Sequence, residues 1–126
     1  MSQTVNWLPR PEKHDYRAAE DYLSLLMPPK RAASLSRRLA AARDDITHRK
    51  AKDILRASQL PLLGEDNKHV ASDVRKAASG AALSPILLLR GDETHPLVVA
   101  DGYHRVCASY WIDENTDIPC VLVDAS

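Results

Sequence analysis

Asp101-Gly102-Tyr103-His104-Arg105 places a carboxylate, a glycine, a phenol, an imidazole and a guanidinium at consecutive positions. The apolar Leu97 to Ala100 before it reads as a strand, and an amphipathic helix over Tyr103 to Ile112 is expected after it. A strand-to-helix turn of this kind collects unpaired N–H groups and the positive end of a helix dipole, so it takes up anions. Gly102 lets a ligand approach the backbone. His104 and Arg105 offer charge-assisted hydrogen bonds to phosphate or carboxylate, and an imidazole also carries protons near neutral pH. Asp101 serves either a metal-bound phosphate or the cap of the helix. Tyr103 either covers a ligand or shields the turn. Arg105 has Asp101 and Asp124 as alternative partners within the chain.

The elements that must hold this turn follow from periodicity. Ala19, Leu23 and Leu26 mark a first helix over Tyr16 to Met27, ended by Pro28-Pro29. Ala32, Leu35, Leu39, Ala42 and Ile46 form one apolar stripe on a second helix from Lys30. Asp44-Asp45 offers an N-cap for a third helix reaching Ser58, and a single bent helix over Lys30 to Ser58 fits equally well. Leu60-Pro-Leu-Leu63 reads as a short strand and Gly64-Glu65-Asp66 as a turn. Asp66 or Asn67 caps a helix to Ala78 whose apolar face is Val70, Val74 and Ala77, with Gly80 as its stop. Pro85 to Leu89 is a buried strand, Arg90 to Pro96 a hairpin loop, and Ile118 to Val123 a last strand. The expected fold class is α+β: a small mixed sheet with helices over 59–126, preceded by a helical extension over 1–58, all in one domain.

Composition bounds the rest. The chain has 126 residues, enough for one core. Its apolar runs are too short for a bilayer and its start lacks the pattern of a signal peptide, so a cytoplasmic protein is expected. Cys107 and Cys120 have neither CxxC spacing nor company, and read as reduced core residues. His14, His48, His69 and His95 lack metal-ligand spacing, so no metal site is expected. Net charge is zero but uneven: Lys and Arg outnumber Asp and Glu 12 to 7 over 1–58, and the reverse holds, 5 to 10, over 59–126. The basic half, with Arg31, Arg37, Arg38 and Arg43 off the apolar stripe, suits a protein partner, a second copy of the chain, or DNA phosphates. Against DNA, no helix-turn-helix pattern is visible. His69 and Lys68, at a helix start, can add positive charge near the turn.

Taken together, Asn67 to Val70, Gly80, Leu83 to Arg90, Val98 to Arg105 and Ile118 to Val123 resemble the ParB/sulfiredoxin superfamily. The resemblance covers about Gln59 to Asp124. It implies that family's small mixed sheet and a nucleotide- or phosphate-binding turn at Asp101, Gly102, Tyr103, His104 and Arg105. The turn is closest to that of the ADP-dependent free serine kinases, which read Asp-Gly-His-His-Arg; Tyr103 departs at the middle position. Tyr103 also stands where sulfiredoxins carry their catalytic cysteine, and Tyr103 and His104 stand where the chromosome-partitioning members carry an acidic residue and an arginine for CTP. The kinase-type members imply a nucleotide with magnesium and a carboxylate general base. Glu65, or else Asp66, is the nearest candidate for that base, acting with His104. Whether such a site turns over or only binds stays open at this stage, as does the alternative of a non-enzymatic, protein- or DNA-associated regulator.

Overall fold

The computed structural model describes residues 4–125. Its elements run α1 (Lys13–Leu23), α2 (Pro29–Ala41), β1 (Ile46–Lys50), α3 (Ala51–Ser58), α4 (Lys68–Ala78), β2 (Ile86–Arg90), β3 (Val98–Asp101), α5 (Tyr103–Ile112) and β4 (Asp117–Asp124). The strands form one mixed sheet in the order β1-β4-β2-β3. β2 and β4 are parallel, while β1 runs antiparallel to β4 and β3 antiparallel to β2. The fold is α+β, as the alternation of periods implies.

The two central strands are apolar on both faces, and successive side chains divide between two cores. Ile86 and Leu88 of β2, with Ile118 and Cys120 of β4, face α3, α4 and α5. Leu87 and Leu89, with Val121, face Ala19 and Leu23 of α1 and Ala32, Leu35 and Leu39 of α2. The α1–α2 hairpin therefore covers one whole face of the sheet. Both cysteines are free thiols with no exposure, and burial pushes the Cys120 thiol up to about 12. Among the described residues no helix is long and apolar enough to cross a membrane.

Two expected elements are corrected. Ile46–Lys50 is a strand, not the start of a third helix or the middle of a bent one. The stripe that ran Leu39, Ala42, Ile46 continues only by coincidence, because Ile46 stays half-buried as a strand residue opposite Val121. The β-branched Ile46 and Thr47 suit a ladder, and pairing with β4 outweighs the local helical pattern. The helical extension expected over 1–58 thus supplies an edge strand to the sheet. Leu60 to Leu63 is not a strand. Pro61 lacks a donor, and this segment's carbonyls go to α5 side chains instead: the Tyr103 hydroxyl donates to Pro61 O and Trp111 Nε1 donates to Leu63 O at 2.8 Å.

α1, expected over Tyr16 to Met27, runs Lys13–Leu23 and leaves Leu26 exposed beyond it; the remaining elements follow their residues closely. The Asn67 side chain caps α4, accepting from the His69 and Val70 N–H groups at 3.0 and 3.2 Å. Gly80, at φ +85°, closes the turn after α4.

Candidate functional site

β3 ends at Asp101, and the chain turns through Gly102 at φ +109°, ψ +17° into α5. That conformation strains any residue with a Cβ. A Cβ here would also run into Ile86 Cδ1 and stand 3.0 Å from Arg105 Nη2. No side chain caps α5, so its first-turn N–H groups stay open at the mouth of the helix. Because β3 is antiparallel to β2, this mouth lies where the parallel strands β2 and β4 begin, not at their carboxyl ends.

A groove of about 370 Å³ opens beside the turn. Asp101, Gly102, His104 and Arg105 line it, together with Asp15 of α1, Ser84 before β2, and His69, Asp73 and Lys76 of α4. The turn predicted from sequence does reach a concavity. Two of the expected residues do not: Tyr103 is turned toward Pro61, and Glu65 is exposed in the 64–66 turn, neither lining the groove. His69 joins the groove as expected, whereas Lys68 does not.

Arg105 is held by the protein. Nη2 donates to Asp101 Oδ2 at 2.6 Å, Nη1 donates to Ser84 O at 2.7 Å, and Asp15 Oδ2 lies 3.9 Å from Nη1. Its side chain is 13% exposed and those of Asp15 and Asp101 are 6% and 19%. This is one guanidinium between the buried Asp15 carboxylate and the part-buried Asp101 carboxylate. The Asp15 carboxylate also accepts from the Glu12 N–H at 2.8 Å, within the first turn of α1, and from the Ser84 hydroxyl. The network ties α1, the entry to β2, the end of β3 and α5 to one another. It also positions the turn.

Two close carboxylates cannot both ionise freely in a buried setting. Burial, opposed by Arg105 and reinforced by Asp15, pushes the Asp101 carboxyl up to about 6. A carboxyl whose pKa is higher folded than unfolded binds its proton more tightly in the folded state, so stability falls as pH rises through the interval between the two values. Unfolding free energy is therefore expected to decline between about pH 4 and pH 6, and Asp101→Asn to flatten that decline. Urea titrations at several pH values check this; an unchanged slope in the variant contradicts it.

Besides Arg105, the basic side chains lining the opening are His14, which lies 3.6 Å from Glu12, and His69, His104 and Lys76. The His69 and His104 rings lie with centroids 4.7 Å apart. Burial first, then the neighbouring His69, holds His104 below the usual imidazole range, while Asp73 opposes that. Asp73 in turn is raised by burial against the pull of Lys76, Arg105, His104 and His69. His104 therefore stays neutral to lower pH than an ordinary imidazole and adds positive charge to the groove only when protonated. Among the described residues no three His, Cys, Asp or Glu side chains gather as a metal site. A magnesium ion entering with a nucleotide would rest mainly on phosphate and water.

Asp15, Ser84, Asp73 and Lys76 were not singled out by sequence. The groove meets at one place residues from α1, α4, β3 and α5, and only the capping position of Asp15, three residues into its helix, left a local trace. The chain matches no family model, no curated protein and no solved structure.

Proposed function

We propose that this chain binds a phosphate-bearing small molecule of the nucleotide class in the groove at the start of α5, as its resemblance to ParB/sulfiredoxin-like proteins implies. The observation that carries the reading is the uncapped helix mouth at Gly102 opening into the same groove as His104, His69 and Lys76. Helix-mouth amides and cations arranged around a concavity are the ordinary means of holding phosphate. A volume of about 370 Å³ is small for a whole nucleotide but sufficient for its phosphates, with the base lying outward. Arg105 acts here through the wall of the groove, fixing the turn, while His104, His69, Lys76 and the α5 amides meet the anion.

Binding is the part the groove supports best. A catalytic version would take its carboxylate from the groove, where Asp73 sits beside His104, and not from Glu65 in the exposed turn.

Titration calorimetry with ADP, ATP and CTP, each with and without magnesium, and with inorganic phosphate, tests the reading. Saturable binding is expected, weakened about tenfold by His104→Ala, as for the loss of one charge-assisted hydrogen bond. A bound anion favours imidazolium over imidazole, so binding takes up protons. Sulfate, whose own charge is constant over the range, is therefore expected to bind more tightly as pH falls from about 8 to about 6. Affinity for sulfate that is flat with pH, together with a His104→Ala variant equal to wild type, contradicts the proposal.

A further inference from the structure

A second and larger concavity, of about 630 Å³, lies where the parallel strands β2 and β4 end. Its floor is apolar: Leu97 before β3 and Leu122 of β4 are half-buried there, over Ile54 of α3 and Leu88 of β2, which are buried in the core. Its rim carries Arg49 of β1, Arg56 of α3 and Arg90 of β2. These come from separate elements: the Leu97 N–H donates to Ala57 O at 3.1 Å, which sets Arg56 at the same end of the groove as Arg90, while Arg49 stands opposite Ile118 near the start of β4. A volume of this size lies within the range of small-molecule sites, and an apolar floor with a few convergent polar groups is their usual lining.

The arginines are available. Among the described residues Arg49 has no ion pair, Arg56 pairs at 3.2 Å with Asp53 one turn away, and Arg90 pairs through Nε alone with Asp124 at 2.9 Å. The last two pairs are open to solvent, with side-chain exposures of 82% and 49%, and of 59% and 64%. Exposed pairs of this kind contribute little and exchange readily for a ligand oxyanion. Three carboxylates share the rim: Asp53, which pairs with Arg56, Glu93, which is exposed, and Asp92, which is engaged by its own turn. It accepts from the Thr94 and His95 N–H groups at 2.8 and 2.9 Å and from the Thr94 hydroxyl at 2.9 Å, which holds its carboxyl down at about 2.

We infer that this groove binds a small amphipathic anion, its apolar body on Leu97 and Leu122 and its carboxylate or phosphate head on Arg56 and Arg90. The head is planar or tetrahedral oxyanion chemistry that a guanidinium fork grips with two hydrogen bonds. The body displaces water from the leucine floor, which gives the apolar part of the affinity. This site is remote from the turn at Gly102 and does not depend on the reading given to that turn.

The test is an amide and methyl NMR titration of the whole chain with octanoate, octyl phosphate and, as the neutral counterpart, octanol. Shifts confined to Gly91, Leu88, Leu97 and Leu122, saturating below roughly 5 mM for one of the anions, are expected, with octanol at least about tenfold weaker. Whichever anion binds more tightly identifies the head group. Arg56→Gln, at an exposed position on α3, is expected to weaken the anion about tenfold while the rest of the spectrum stays in place. Arg90→Gln gives the same readout from β2. No saturation by either anion, octanol binding as well as octanoate, or both variants binding like wild type overturns the inference.

Discussion

Arg105→Ala is expected to lose about 3–5 kcal/mol of folding stability, the range for breaking a buried ion pair by removing one partner. The guanidinium lies between the carboxylates of Asp101 and Asp15 and also satisfies the Ser84 carbonyl. Without it the two acids face each other, and the joint between α1, β3 and α5 loses its central hydrogen bonds. Arg105→Lys is expected to recover only part, because a single ammonium cannot serve Asp101 and Ser84 O in the fork geometry. Combining Arg105→Ala with Asp101→Asn should cost less than the sum of the two, since the second change removes the acid that the first left unpaired. Urea unfolding of the four proteins, read at the midpoint and slope, settles the sign of that coupling. A loss under about 1 kcal/mol for Arg105→Ala would mean the guanidinium is loosely held and free to leave for a ligand.

Gly102→Ala is the second large effect, expected at about 2–4 kcal/mol. Part is the backbone cost of putting a Cβ at φ +109°. Part is overpacking, since the new carbon meets Ile86 Cδ1 in the core and the Arg105 guanidinium at 3.0 Å. The same substitution at Gly64 serves as control. There the added carbon meets chiefly the Asp66 side chain, which can turn away, so the change should stay within about 0.5 kcal/mol. Thermal unfolding of both variants checks this. Equal costs at the two glycines would contradict the strained close approach at Gly102.

The two predictions also mark what was readable in the sequence. Gly102 and Arg105 stood out because their types and spacing sit at one local strand-to-helix turn. The Asn67 cap, the Gly80 stop and the bounds of α5 were legible for the same reason: each is decided within a few residues. What was missed is non-local. β1 exists through its pairing with a strand some seventy residues away, as in Ile46↔Val121, and its apolar positions happened to continue a helical stripe. Leu60 to Leu63 has strand-like composition, but its carbonyl partners are the Tyr103 and Trp111 side chains, a use of aromatics that no spacing announces. Tyr103, which the sequence leaves between covering a ligand and shielding the turn, gives its hydroxyl to Pro61 O of that segment. The site shows the same division. His104 and Gly102 were visible in one turn, but Asp15 reaches them only because α1 packs across β3, and Asp73 only because α4 packs along α5. The role of Arg105 changes accordingly. Read alone it is an anion ligand, and in the fold its charge is balanced by carboxylates from two other elements.

The account rests on the claim that the mouth of α5 receives a phosphate. Amide NMR of the uniformly labelled chain, titrated with ADP at mildly acidic pH, which favours the charged form of His104, reads it residue by residue. Saturable shifts centred on Gly102, Tyr103 and His104, with His69 and Lys76 following and all of them lost in a His104→Ala, Lys76→Glu double variant that keeps the wild-type spectrum elsewhere, are the predicted result. Shifts that never saturate, or that fall elsewhere on the chain while the α5 amides stay still, would contradict it.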